Sequence, residues 1–258
     1  CAPLTAAGYY VAGADRDESA LSFALQRGFI REKAENLSDY ETVILAVPVR
    51  AAVSVLNAER FRDGALVADV CGVKKTVEEA VYASPRNYRY IGLHPMAGKE
   101  TSGISSASAH LFRGANLVMT VCPQTQESAC REIAEYAKAM GFKRIVTCTA
   151  EEHDRKIALT SQLAHIVSNA YVKSPEVDGC EGFTGGSFQD MTRIAGVDEI
   201  MWSELYLSNR ENLLAELDLL IGHLSEYREA LADGDEETLR QKLREGRHCR
   251  ERIRRGND

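Results

Sequence analysis

TVILAVP (residues 42–48) is a continuous apolar run that ends in proline. Its length and its β-branched residues predict a strand that is buried on both faces, as strands are in parallel sheets covered by helices. Apolar runs at residues 65–70 and 90–93 repeat the pattern. We therefore expect the first part of the chain to be built on a parallel sheet.

Helical patterns separate these runs and extend the alternation in both directions. The first predicted helix, residues 18–26, is expected to end at Gly28. The predicted strands also include residues 9–15, 116–121 and 143–148, and the predicted helices are residues 18–26, 51–60, 74–82 and 126–140. Strands that alternate with helices of this length predict an α/β fold, a Rossmann-type doubly wound parallel sheet, over residues 1–150.

The pattern changes after Thr149. Residues 150–173, 201–232 and 236–254 are predicted to be long helices, so residues 151–258 form an expected all-α domain. The second of these helices carries leucines at helical spacing, namely Leu213, Leu214, Leu217, Leu220 and Leu224. Such a stripe indicates either core packing or a subunit interface.

Composition limits the function classes. The chain has 258 residues, of which 45% are hydrophobic and 27% are charged, and a net charge of −7. This charge disfavours a nucleic-acid partner, and no apolar run approaches the roughly 18 residues of a membrane span. Seven scattered cysteines without a Cys-x-x-Cys pair predict reduced thiols in a cytoplasmic protein and no metal site.

The beginning of the chain departs from the usual order of a nucleotide-binding domain. Such a domain opens with a strand, a Gly-x-Gly-x-x-Gly turn and a helix. Residues 1–8 resemble the last turns of that helix, so we expect the first strand and the glycine-rich turn to be missing. Asp15 ends the predicted second strand, where a carboxylate binds the adenosine ribose of NAD. Arg16 beside it leaves NADP as an alternative.

His94 begins the segment HPMAGKE (residues 94–100), directly after the strand predicted at residues 90–93. In open α/β sheets, ligands bind at this carboxyl edge of the strands. Imidazole also exchanges protons near neutral pH. We weigh two interpretations: a catalytic histidine, and a hydrogen-bonded histidine in an ordinary turn.

Two later segments carry further candidates. SQLAH (residues 161–165) lies on the first long helix, and Asp154 precedes His165 by about three turns, so its carboxylate is expected to orient the imidazole. GGSFQDMTRIA (residues 185–195) is rich in glycine and contains Arg193, whose guanidinium suits a carboxylate. The alternatives are a solvent-facing histidine and a surface ion pair. Together the segments predict a cleft between the two domains.

These three segments, in this order, resemble the prephenate dehydrogenase family of tyrosine biosynthesis. The resemblance runs from Ala6 to about Arg254. It implies a Rossmann-type domain, a helical domain that forms a homodimer, and NAD-linked oxidative decarboxylation of prephenate to 4-hydroxyphenylpyruvate. The implied partners are a small-molecule substrate and a second copy of the chain.

The resemblance also implies roles on the substrate side. His94 would accept a hydrogen bond from the ring hydroxyl, and Arg193 would bind a substrate carboxylate. His165 would line the pocket with Asp154 behind it. Glu100 would lie at the mouth of the site and pair with Arg193 when the site is empty, and Lys99 beside it is also assigned to substrate binding.

On the cofactor side, Asp15 and Arg16 would lie at the adenosine ribose, Val47 and Pro48 would pass alongside the dinucleotide, and Cys71 is also assigned to cofactor binding. The resemblance is incomplete at two positions of the substrate side. Gly72 stands where the family often has serine, so a hydroxyl contact is lost unless a water or Cys71 replaces it.

Gln189 stands where a basic residue is common in the family, which leaves arogenate as an alternative substrate. If the glycine-rich turn is missing as expected, the family's main contact to the dinucleotide phosphates would be lost and cofactor affinity would be lower. A non-catalytic dimeric remnant is therefore the alternative from another class of protein.

Overall fold

The computed structural model describes residues 1–98 and 103–255. Within them the strands are β1 (Ala12–Gly13), β2 (Glu32–Lys33), β3 (Thr42–Leu45), β4 (Leu66–Asp69), β5 (Arg89–Pro95), β6 (Asn116–Thr120) and β7 (Arg144–Cys148). The helices are α1 (Ala2–Ala6), α2 (Glu18–Gln26), α3 (Val49–Ala58), α4 (Lys75–Tyr82), α5 (Glu127–Met140), α6 (Ala150–Ile157), α7 (Ala164–Tyr171), α8 (Gly186–Thr192), α9 (Glu199–Ser208), α10 (Arg210–Asp233) and α11 (Glu236–Arg255).

The main sheet has the strand order β3-β4-β5-β6-β7. Its neighbours pair in parallel, except that β5 and β6 are antiparallel, with His94 opposite Val118. The predicted parallel, doubly wound sheet is therefore confirmed as a parallel-dominated one. A parallel pair needs a long crossover, usually a helix. The described part of the β5–β6 connection contains only a 3₁₀ turn, Ile104–Ser106, and this explains the reversed direction.

Both faces of this sheet are covered, as the continuous apolar runs predict. Val67 points toward the layer formed by α3 and α4, where Leu56 and Val77 are buried. Ala68, the next residue along β4, points to the opposite layer, where Ile133 of α5 is buried. Strand residues alternate between faces, so a strand that is apolar throughout fits between two helical layers.

The beginning of the chain forms a second, smaller sheet. The expected helix is present as α1, and the expected strand at residues 9–15 is reduced to β1, which pairs in parallel with β2. Helix α2 is confirmed at residues 18–26, and Gly28 follows it with a φ of 66°. Among the described residues no strand joins β1–β2 to the main sheet.

The later part of the chain is helical. The helix predicted at residues 150–173 is continuous from α6 to α7, but residues 158–163 between them form a π-helix. The helix predicted at residues 201–232 is interrupted at Asn209, between α9 and α10. The chain divides into two compact units, residues 1–209 and 210–258. None of the described helices is long and apolar enough to cross a membrane.

A buried ion pair joins the ends of two central strands. The side chains of Asp69 and Lys74 are completely buried, and the Lys74 ammonium contacts the Asp69 carboxylate. Lys74 also donates to the carbonyl oxygen of Leu93 on β5 at 2.6 Å, and the Tyr90 hydroxyl donates to Asp69 at 2.6 Å. The carboxylate at the end of β4 is thus tied to the last residues of β5.

We predict that Lys74→Met strongly destabilises the protein, because it leaves the buried Asp69 carboxylate without its cation. Removing one partner of a buried pair costs about 3–5 kcal/mol. Guanidinium unfolding followed by circular dichroism measures the change. Lys156→Met is the matched control, since Lys156 pairs with Glu152 on an exposed helix surface, and its unfolding midpoint should not move. Equal midpoints for the two variants would contradict a structural role for the pair.

Candidate active site

His94 lies near the end of β5, at the edge where the parallel strands β3 and β4 also end. Its Nδ1 atom is 2.8 Å from Nε2 of His153, a residue of α6. Burial, followed by the nearby His153 and Lys74, lowers the pKa of His94 to about 3, although Asp154 acts in the opposite direction. The imidazole is therefore neutral at physiological pH and has a lone pair with which to accept a hydrogen bond.

Asp154 does contact an imidazole, but not the predicted one. Its Oδ1 atom is 2.7 Å from Nδ1 of His153, and its carboxylate also accepts the backbone N–H groups of Lys74 at 2.8 Å and Lys75 at 2.9 Å. It therefore caps the beginning of α4, where unpaired N–H groups favour a carboxylate. The prediction that Asp154 stands behind His165 is wrong.

The π-helix at residues 158–163 explains this error. The prediction assumed 3.6 residues per turn over the eleven residues from Asp154 to His165. A π-helix has i→i+5 hydrogen bonds and therefore wider turns. Because it inserts extra residues into each turn, the two side chains leave the helix in different directions.

His165 belongs to a different group of residues. Its Nδ1 atom is 2.9 Å from the carbonyl oxygen of Ile194, and its ring packs against Trp202 with centroids 3.9 Å apart. Ile194 follows Arg193, which caps the end of α8 and is exposed, as is Gln189 within that helix. The structure thus brings His165 beside the predicted carboxylate-binding segment. Lys99 and Glu100 lie outside the described residues.

One cavity, of about 770 Å³, opens at the end of β1. Gly13, Ala14 and Asp15 line it, and the Asp15 carboxylate is held by the backbone N–H of Asp17 at 2.9 Å. Arg16 is exposed beside it. A carboxylate at the mouth of a cavity of this size fits the hydroxyl groups of a ribose, so the residues present fit the adenosine end of a dinucleotide.

A second cavity, of about 310 Å³, lies between the ends of β3 and β4 and helix α9. Val47, Pro48, Cys71 and Gly72 line it, which brings together four predicted residues. Burial, above all, raises the pKa of Cys71 to about 12, so the thiol stays protonated, and it donates to the carbonyl oxygen of Val47 at 3.5 Å.

Leu205 of α9 occupies the space beside Gly72. A Cβ atom on Gly72 would lie only 3.1 Å from a methyl group of Leu205. Leu205 therefore fills the space that a side chain at position 72 would need. Glu204, next to it, accepts the backbone N–H of Arg50 at 2.6 Å, at the beginning of α3.

The sequence prediction missed four residues that shape these sites: Lys74, His153, Trp202 and Glu204. His153 is the one that sequence reasoning could most easily have found, because it directly precedes Asp154, which was selected. A signal for Lys74 was also present, namely an acid at the end of a strand followed by a lysine five residues later. Trp202 and Glu204 come close to the site only through the placement of α9, which no local pattern reveals.

Comparisons with known proteins match both parts of the chain. Residues 4–146 match the family model for the prephenate dehydrogenase nucleotide-binding domain. Residues 149–245 match the model for the prephenate dehydrogenase dimerization domain. The chain is 31% identical to the cyclohexadienyl dehydrogenase of Zymomonas mobilis, covering 89% of this chain and 86% of the relative. It is 30% identical to the prephenate dehydrogenase of Lactococcus lactis, covering 95% and 70%.

Solved structures give the same result. Prephenate dehydrogenase from Aquifex aeolicus, in complex with hydroxyphenyl propionate and NAD⁺, superimposes with a TM-score of 0.83 at 27% identity, covering 98% of this chain and 92% of the other. Arogenate dehydrogenase from Synechocystis shares the fold, with a TM-score of 0.77 at 23% identity over 98% and 94% of the two chains. A nucleotide-binding domain and a dimerization domain of one family thus account for nearly the whole chain, which belongs to the prephenate dehydrogenase family of oxidoreductases.

Proposed function

We propose that this chain catalyses the NAD-dependent oxidative decarboxylation of prephenate to 4-hydroxyphenylpyruvate. The observation that carries the proposal is the neutral imidazole of His94 at the carboxyl edge of the sheet, hydrogen-bonded through one nitrogen to His153. The other nitrogen is then available to accept the hydrogen of a substrate hydroxyl. Such a contact favours loss of that proton as the carbon bearing the hydroxyl is oxidised.

The dinucleotide, when bound, accepts the hydride from the substrate. Asp15, which lines the first cavity, would hold its adenosine ribose, and Val47, Pro48 and Cys71, which line the second cavity, would lie beside its other end. The Asp15 carboxylate favours ribose hydroxyl groups over a phosphate and so supports NAD. Arg16 is the residue that would favour NADP.

Arg193 is the proposed partner of a substrate carboxylate, because a guanidinium forms paired hydrogen bonds to such a group. His165 contacts this segment through its hydrogen bond to the carbonyl oxygen of Ile194, and its ring packs at a tilt against Trp202. Prephenate carries two carboxylates, so binding and orientation are the main tasks of this side of the site.

Arogenate is the second candidate substrate. Gln189 is an uncharged residue in the segment that is expected to bind the substrate carboxylates, and it suits a substrate carrying an amino group. The identity with a cyclohexadienyl dehydrogenase is compatible with either ring compound.

We further propose that residues 1–150 bind the nucleotide and that residues 151–258 bind substrate and form the homodimer, in line with the two family models.

The proposed reaction predicts dinucleotide reduction that depends on the substrate. We expect absorbance at 340 nm to increase with prephenate and NAD, and the specificity constant to be higher for prephenate than for arogenate and for NAD than for NADP. A separate calorimetric titration tests binding of NAD alone. Binding of NAD without turnover of either substrate would contradict the reaction, and no binding at millimolar NAD would favour the non-catalytic alternative.

We predict that His94→Ala reduces kcat by about 10²- to 10⁴-fold, the range for loss of a positioned proton acceptor. KM for the substrate should change little, since the carboxylate contacts remain. Met96→Ala is the control, because Met96 is an exposed residue two positions along the same segment. Steady-state kinetics of both variants check this, and an unchanged kcat in His94→Ala would remove His94 from the reaction.

The proposed homodimer predicts a defined contact surface on α10. Leu214, Ile221, Leu224 and Leu231 are each at least half exposed in the single chain and recur at helical spacing along one face. Leu224→Asp should therefore shift the dimer toward monomer in sedimentation velocity. Leu219→Asp is the matched control, since Leu219 is equally exposed but lies on another face of the helix. Dissociation by both variants, or by neither, would contradict this assignment of the interface.

A further inference from the structure

Three side chains form a chain of short hydrogen bonds that ends at the proposed proton acceptor. Asp154 is 2.7 Å from His153, and His153 is 2.8 Å from His94. His153 and Asp154 are almost completely buried, at 2% and 1% exposure. Buried polar groups of this kind must satisfy one another, because water does not reach them.

The hydrogen bonds define which nitrogen carries each proton. The Asp154 carboxylate already accepts two backbone N–H groups, and a carboxylate has only acceptor sites. The Nδ1 atom of His153 must therefore carry a hydrogen and donate it to Asp154. In the neutral ring Nε2 of His153 is then the acceptor, so Nδ1 of His94 is the donor. This leaves Nε2 of His94 as the nitrogen with the lone pair.

We propose that His153 is a positioning residue for the reaction, which holds His94 in the tautomer that accepts the substrate proton and then takes over the resulting charge. The proposal rests on the proposed function and extends it to a residue that does not touch the substrate.

The substrate hydroxyl gives its proton to Nε2 of His94, and the electron pair of the O–H bond forms the second bond of the carbonyl as the hydride passes to the dinucleotide. Loss of carbon dioxide then returns an electron pair to this oxygen, which takes up a proton to become the phenol of the product. His94 passes the hydrogen on Nδ1 to Nε2 of His153. His94 is then neutral again, with its hydrogen on Nε2, and His153 carries the positive charge next to the Asp154 carboxylate.

The charges around this chain favour the second transfer. Lys74 lies close enough to His94 to oppose a positive charge on it, and Asp69 is the ion-pair partner of Lys74. Asp154 contacts His153 directly, whereas its attraction for a charge on His94 acts over a longer distance. A positive charge is therefore better placed on His153 than on His94, because attraction to a carboxylate falls with distance. Tyr90 and Cys71, which contact Asp69, are neutral at physiological pH, since burial raises the pKa of both.

Two substitutions test separately whether His153 orients His94 and whether it takes up the proton. His153→Phe removes both the acceptor for His94 and the donor to Asp154. His153→Gln keeps an amide oxygen that can accept from His94, but it cannot take up a proton. We expect kcat to fall about 100-fold in the Phe variant and about 10-fold in the Gln variant, within the range of acid–base contributions. KM for the substrate should stay within about twofold of the parent value, since neither variant touches the carboxylate contacts.

The control is His110→Phe, an exposed histidine outside the site, which should retain the parent kcat. Circular dichroism and the unfolding midpoint show whether each variant folds. If the Phe variant does not fold, the Gln variant and the parent protein still test the proposal. A parent-like kcat in His153→Phe, or a fall in kcat matched by an equal rise in KM, would overturn it.

Nitrogen NMR of ¹⁵N-histidine-labelled protein provides a readout that needs no turnover. We expect the parent protein to show His94 protonated at Nδ1 and not at Nε2, with the His94 signals assigned by their loss in His94→Ala. In His153→Phe the two tautomers should both be populated. Protonation of His94 at Nε2 in the parent protein would overturn the proposal. Failure to turn over either substrate, with the expected tautomer present, would contradict the proposed function alone.

Discussion

The ion pair between Asp69 and Lys74 is the constraint on which the active site depends. It lies at the ends of β4 and β5, and the Lys74 ammonium also holds the carbonyl oxygen of Leu93, the residue before His94. The backbone N–H of Lys74 donates to Asp154. One residue therefore connects the carboxyl edge of the sheet, the strand that carries the proposed acceptor and the helix that carries its hydrogen-bond partners. A buried pair of this kind adds little net stability, because desolvation offsets most of the attraction, but removal of either partner is costly.

The fold could be predicted largely from local patterns, and the reasons are physical. Continuous apolar runs are confined to strands between two layers, so β3, β4 and β5 were identifiable from residues 42–48, 65–70 and 90–93. The antiparallel pairing of β6 could not be predicted in this way, because strand direction depends on the connection between strands and cannot be recognised in the sequence of the strand itself. The interruption at Asn209 was also missed, since a single non-helical residue hardly changes the periodicity of a long apolar stripe.

The candidate site was predicted in part. Its residues were selected from segments that carry chemistry. The structure places His94 beside His153 and His165 beside Ile194, next to Arg193, and the roles of these residues stay predictions. The partner of His94 was not found, because pairing between histidines depends on how α6 packs against β5. The link from Asp154 to His165 failed for a different reason: helix geometry was assumed to be uniform, and a π-helix lies between them. π-helical turns often occur at functional sites. Here the turn divides one long helix into a part that carries His153, which contacts His94, and a part that carries His165, which contacts Ile194.

Asn209 links the end of α9 to the helix that carries His153 and Asp154 through side-chain hydrogen bonds. Its side-chain amide donates to the carbonyl oxygen of Asp154 and to the side chain of Gln162, a buried residue within the π-helix. Gln162 in turn donates to the carbonyl oxygen of Leu205. The segment that ends α9 is thus bonded to the same stretch of helix that carries His153 and Asp154. Proteins open locally in contiguous cooperative units. We therefore expect the helix that carries His153 and Asp154 and the end of α9 to be protected from amide exchange to a similar extent.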